Sequence, residues 1–221
     1  MVKTWTLLAA SCVALAAGAT AAPSAARYAL PASVASLIEE GRGFREFSAA
    51  LEGEAEAALA APAPPEELRR WLGLRVHLAL LSGDDGRAQV AADRLRELQA
   101  EAGERAYTGL TTRALAAARR REGGFDAEAY DREFARRLAE LPPTAEIRRV
   151  LVRQRERAAG ITAAAVRTAA SALAARVGGE RDVDFATADE IVRLRHRLHD
   201  LVPLRTLTLA ALDAGIAARP E

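Results

Sequence analysis

The stretch PEELRRWLGLRVHLALLSGDDG, residues 65–86, decides the fold class. Pro65 suits the first position of a helix, where its missing N–H costs nothing. Glu66 and Glu67 follow, at the end where the helix dipole favours negative charge. From Leu68 onward the apolar residues Trp71, Leu72, Leu74, Val76, Leu78, Leu80 and Leu81 wrap most of the circumference. A helix apolar on nearly all sides belongs in the interior, between other helices. His77 sits within this run and is expected to be a hydrogen-bonded core residue. Gly83-Asp84-Asp85-Gly86 then turns the chain.

The pattern extends in both directions. Upstream, Pro62-Ala63-Pro64-Pro65 breaks an earlier helical stretch that begins near Ser33 and carries Phe44, Phe47, Leu51 and Leu59 on one stripe. Gly41, Gly43 and Gly53 weaken that stretch. Downstream, Arg87–Ala102 is amphipathic through Val90, Ala91, Leu95 and Leu98. Helical spacing continues over Glu104–Glu122 and Asp126–Leu141, separated by Gly123-Gly124. Pro142-Pro143 stops it. Thr144 is positioned as an N-cap for one long helix over Ala145–Val177, with Gly160 as a kink and Gly178-Gly179 as its end. Helices over Thr187–Val202 and Leu204–Ala217 follow, separated by Pro203. The last is apolar on most sides and is expected to be central. No period-two stretch is long enough for a strand. The expected fold is all-α: about seven helices in antiparallel hairpins, as a helical bundle or a short solenoid.

Two hairpins lie about 40 residues apart, a spacing typical of helical repeats. Residues 92–98 (ADRLREL) align with residues 135–141 (ARRLAEL), and the pairs Gly83/Ala88 and Gly124/Ala129 share one spacing. The Gly-Asp-x-x-x-Ala run at 83–88 resembles the inter-helix turn of tetratricopeptide repeats. The alternative is that any two helix pairs rich in Ala, Leu, Arg and Glu align this well.

The N-terminus reads as a signal peptide over residues 1–21. Lys3 supplies the positive charge, Trp5–Ala17 the apolar run, and Ala19-Thr20-Ala21 the small-residue cleavage pattern. The run is too short to cross a bilayer as a helix, and no later stretch reaches the required length. The expected location is the periplasm or the cell exterior, with no membrane span. Leu8-Ala9-Ala10-Ser11-Cys12 offers an alternative, lipid attachment at Cys12. Residues 22–32 read as a short flexible leader and 33–221 as one helical domain, with possible sub-units 33–142 and 143–221.

The chain has 221 residues, 50% hydrophobic and 28% charged, but only 5% aromatic. That composition is globular, with Ala in the place of larger apolar residues. Lys3 is the only lysine, so beyond residue 21 there are 30 arginines against 30 acidic residues. A neutral balance argues against nucleic-acid binding. Without Cys12 there is no thiol, disulfide or thiolate chemistry.

Catalytic motifs are not visible. There is no Gly-x-Ser-x-Gly elbow, no phosphate-binding glycine loop and no dinucleotide fingerprint. His196 and His199 are three apart, with Asp200 adjacent, a spacing that could present ligands on one face. Helical angles place His196 opposite Leu194 and Leu198, among Asp189, Arg193 and Asp200, so a solvated charged face is expected. No catalytic, cofactor or metal residue is assigned, and the chain is expected not to be an enzyme. Arg149, Arg153 and Arg157 form an i, i+4, i+8 stripe opposite Ile147, Val150, Leu151, Ala158 and Ile161. It reads as a wet basic side, or as a docking face for an acidic partner. Gln154 lies inside the apolar stripe and is expected to meet a polar partner there.

Three segments carry a family resemblance: residues 94–99 (RLRELQ) followed by Thr108-Gly109-Leu110; Ala139-Glu140-Leu141-Pro142; and Val202-Pro203-Leu204-Arg205. They resemble the helical N-terminal region that precedes the catalytic domain in some large secreted bacterial subtilisin-like serine proteases. The resemblance covers about residues 70–218. Nothing here resembles the active-site segments of a subtilase, so no catalytic residue is carried over. The resulting expectation is a non-catalytic, exported interaction or scaffold domain whose partner is another protein. The alternative is a stand-alone relative of the protease region that binds or inhibits a protease.

Mass spectrometry of the protein from its native host is expected to find a chain starting at Ala22. Retention of Met1 would refute export, and a diacylglyceryl Cys12 would establish lipid attachment.

Overall fold

A computed structural model describes residues 26–118, 126–198 and 205–221. The signal peptide, Cys12, the Gly123-Gly124 break, His199, Asp200 and Pro203 lie outside the described residues. The fold is all-α. Ten helices are present among the described residues: α1 (Val34–Glu39), α2 (Phe44–Ala60), α3 (Pro65–Ser82), α4 (Asp85–Leu98), α5 (Ala102–Ala118), α6 (Ala127–Glu140), α7 (Ala145–Ala159), α8 (Ala163–Val177), α9 (Phe185–His196) and α10 (Arg205–Ala217).

Short polar side chains start the helices. Ser33, Asp84, Asp126, Thr144, Thr162 and Asp184 each accept a hydrogen bond from the backbone N–H three residues on. Each satisfies one of the donors that the first helical turn leaves open. The Thr187 N–H holds the Asp184 carboxyl below its ordinary range. Gly83 ends α3 at φ +75°, where a side chain would be strained.

Two of the expected long helices are broken. The stretch from Ser33 splits at Gly41 and Gly43, both at positive φ. Arg195 fills this corner. Its guanidinium lies 4.4 Å from the centre of the Phe44 ring and donates to the Leu37 carbonyl oxygen at 3.0 Å. A Cβ on Gly41 would collide with it. The stretch 145–177 splits at Gly160, where Thr162 caps a new helix and the axis turns by 75°. A kink became a break because Thr162 supplies its own cap.

The expected flexible leader is partly structured. Tyr28 and Ala29 (β1) pair antiparallel with Val183 and Asp182 (β2). The Leu30 N–H donates to the Arg181 carbonyl oxygen at 2.9 Å, and Arg27 meets Glu180 at 3.1 Å. Tyr28 is buried, and burial pushes its phenol up to about 12. Two-residue strands are too short to leave a periodic signal, so the sequence does not reveal them.

Two hydrophobic clusters form the interior. The first joins α1, α2, α8 and α9 to Trp71, Leu72, Leu74 and Leu78 of α3, with Tyr28 and Val183. The second joins α5, α6, α7 and Leu212 of α10 to Ala79 and Leu80 of α3. Helix α3 therefore touches both, as its apolar circumference requires. Helix α9 packs on α1 and α3, and α7 packs on α5 and α10. A solenoid unit contacts only its neighbours; these distant contacts make the architecture a bundle. No single helix among the described residues is long and apolar enough to cross a membrane.

Two expectations about the core need correction. Val90 is 70% exposed. The buried row on α4 is Ala88, Ala91 and Ala92, and Val90 falls outside that row. Helix α10 is peripheral, with Leu212 buried but Ala210, Ala214 and Ala217 exposed. Half of its apolar residues are alanines, which lose little by facing water.

Trp71 is 4% exposed and its ring centre lies 4.2 Å from that of Phe185. Trp71→Ala is expected to cost about 3–5 kcal/mol in urea unfolding, and Val90→Ala under about 0.5 kcal/mol. In a Trp5→Phe background the emission reports Trp71 alone and should be blue-shifted. Red-shifted emission and a harmless Trp71→Ala would overturn this assignment of the core.

Candidate functional site

Helical spacing aims four rows of side chains at one space. On α3, Gly73, Val76, His77 and Leu80 share a face, turned away from the row of Trp71, Leu74 and Leu78 that enters the first cluster. On α5 the row is Glu104, Tyr107, Thr108, Thr111, Thr112 and Leu115; on α7 it is Gln154, Arg157 and Ala158; on α9 it is Arg193, His196 and Arg197. Arg69 of α3 (4.0 Å from Glu66), Ala92, Leu95 and Gln99 of the α4 segment, Tyr130 of α6, Ile161 and Thr208 of α10 complete the lining. The rows enclose a cavity of about 480 Å³.

His77 and His196 meet in this lining. Their Nδ1 atoms are 3.1 Å apart and their ring centres 4.5 Å. The expected solvated position for His196 is therefore corrected: it is 2% exposed. The face of α9 opposite Leu194 is covered by α3 and not by water. The Arg193 Nη1 lies 3.5 Å from His77 Nε2 and can only donate. His77 then carries its proton on Nδ1 and donates it to His196 Nδ1, which leaves the His196 proton on Nε2. Burial first, then His196, Arg193 and Arg197, hold His77 well below its ordinary value of 6.5. His77 is neutral at pH 7. Among the described residues no three His, Cys, Asp or Glu side chains converge as metal ligands.

Apart from Glu104, the remaining polar lining is uncharged or cationic. Burial, then Glu104, raises the Tyr107 phenol, with Arg157 opposing; burial, then Tyr107 and Asp131, raises Tyr130. Both keep their O–H. Gln99 Nε2 donates to Thr108 Oγ1 at 3.0 Å, and Thr111 and Thr112 donate to carbonyls one turn back. The Glu104 carboxylate is taken by Arg153 at 2.8 Å. Asp189 holds Arg193 Nε at 2.8 Å. Burial pulls the Arg197 guanidinium down from its ordinary range, followed by Arg193 and Arg157, with Glu190 opposing.

Arg149, Arg153 and Arg157 of α7 are all exposed, as a wet basic side requires. Arg153 bridges Glu101 and Glu104 of the α5 segment, Arg155 meets Asp213 of α10 at 3.0 Å, and Arg148 meets Glu221 at 3.1 Å. An i, i+4 row drifts by about 40° per step around a helix. By Arg157 the row has turned from the solvent side to the cavity, next to Gln154. Gln154 lines the cavity. The arrangement offers no nucleophile next to a base and no carboxylate pair. It offers hydrogen bonds, positive charge and apolar wall. Comparison with family models, with curated proteins and with solved structures finds no match.

Neutral His77 sets a pH dependence. The folded value of His77 is lowered, so its stabilising share is present above the unfolded value of about 6.5 and is lost as pH falls below it. Urea unfolding is expected to show stability about 1 kcal/mol lower at pH 5.5 than at pH 6.5. His77→Gln should abolish this difference. An unchanged slope in the variant would assign it to another group.

Proposed function

We propose that this chain is an exported, non-catalytic binding protein whose helical bundle holds a small ligand in the cavity between α3, α5, α7 and α9. The observation that supports the reading is the convergence of polar side chains from four helices on an open-mouthed cavity with apolar walls. Its volume of about 480 Å³ is in the range of small-molecule sites. The export half of the reading rests on Lys3, the apolar run and Ala19-Thr20-Ala21. The non-catalytic half rests on the chemistry of the lining. The histidines are occupied with each other, and Glu104 with Arg153.

A small ligand fits these observations better than a protein docked on the basic side of α7. Three arginines of that helix already have acidic or carbonyl partners on the same chain.

Ala158→Trp projects an indole into the cavity from α7. Protein purified from its native host should release a small molecule on solvent extraction, detectable by mass spectrometry. The Ala158→Trp variant, with an unchanged far-UV circular dichroism spectrum, should release none. The same compounds in equal ratio from both proteins, or none from the wild type, would refute the reading.

A further inference from the structure

The charge inside the cavity is lopsided. Arg157 of α7 and Arg197 of α9 line it and have no ion pair among the described residues. Arg193 stands beside them, half neutralised by Asp189. The one lining carboxylate, Glu104, faces Arg153 at 2.8 Å. Among the described residues neither guanidinium has a carboxylate within ion-pair distance, and both belong to exposed residues, which places them at the mouth. The buried lining residues Leu80, Leu115, Tyr130 and His196 form the floor. The cavity therefore has a cationic entrance and a mostly apolar interior carrying phenol and hydroxyl groups.

We propose that the cavity takes an organic dianion, a phosphate monoester of an apolar alcohol. Arg157, Arg193 and Arg197 hold the phosphate, and Val76, Leu80, Leu115 and Ile161 enclose the organic part. Guanidinium forks match phosphate oxygens in geometry as well as charge. A dianion balances the two charges that the protein leaves open. Burial pulls Arg197 down first, and the repulsion from Arg193 and Arg157 that adds to it is what a bound anion would relieve. Inorganic phosphate has the charge but leaves the apolar wall uncovered. The Tyr107 hydroxyl and the Gln154 amide line the same cavity and can hydrogen-bond ester or hydroxyl oxygens deeper in. This inference rests on the binding reading above and narrows it to one ligand class.

The test is isothermal titration of the purified protein with 1-naphthyl phosphate. One saturable site is expected. Inorganic phosphate and neutral 1-naphthalenemethanol should each bind at least about tenfold more weakly. Arg157→Gln and Arg197→Gln should each weaken 1-naphthyl phosphate at least about tenfold. Arg155→Gln, on the same helix but paired with Asp213 outside the cavity, should leave the Kd unchanged. Circular dichroism checks that each variant is folded. Equal binding of the neutral alcohol, unchanged Kd in both cavity arginine variants, or no saturation at millimolar concentration would overturn the proposal. If the natively purified protein still releases an Ala158→Trp-sensitive compound, then the ligand class is wrong and the binding reading stands. If it releases nothing, both fall.

Discussion

Helix α3 has almost no side that can face water. Between Trp71 and Leu81 no residue is exposed. That requirement organises the molecule, because one apolar stripe can be covered by one neighbour but a full circumference needs several. The first cluster takes Trp71, Leu74 and Leu78, and the second takes Ala79 and Leu80. The two clusters meet at this helix. Where they do not quite close, between α3, α5, α7 and α9, the leftover space is the cavity. His77 belongs to α3 for the same reason: it occupies the part of the circumference that neither cluster covers.

Much of this was legible in the residues. Pro64-Pro65, Gly83, Thr144 and Gly178 mark element ends through backbone restrictions and caps that act within a few residues of themselves. His77 and Gln154 stood out as polar residues inside apolar stripes, and both line the cavity. What was hidden depends on distant partners. His196 lies opposite the stripe of α9, and only the arrival of α3 over 100 residues earlier in the chain makes that side interior. The pairing of Tyr28 with Val183 is hidden in the same way, since neither strand has a pattern of its own. Val90 and α10 misled because hydrophobicity alone does not fix burial; the neighbours present on each side do.

Arginine carries every positive charge after Lys3, and the structure uses its planar fork as a connector. Arg195 lies on the Phe44 ring and caps α1. Arg219 is buried and donates to the carbonyl oxygens of Leu138, Leu141, Pro142 and Gly215, so it closes the end of α6 and ties it to α10. A lysine has neither the number nor the fixed geometry of donors for such a site. The same side chain that staples helix ends is found around the cavity, where fewer acceptors meet it.

The apolar face of α1 is covered largely by α8 and α9, roughly 130–150 residues downstream. At ribosomal speeds of about 5–20 residues per second, that cover emerges roughly 6–30 s after the surface it protects. During this interval Val34, Leu37 and Ile38 form a ready-made sticky stripe on a nascent chain that cannot yet fold. Helix formation and hairpin docking over α3–α6 are far faster than that. A half-made molecule would therefore hold a finished middle and an unprotected start. A chain cut short before α8 therefore leaves this stripe open to water, however well its middle has formed.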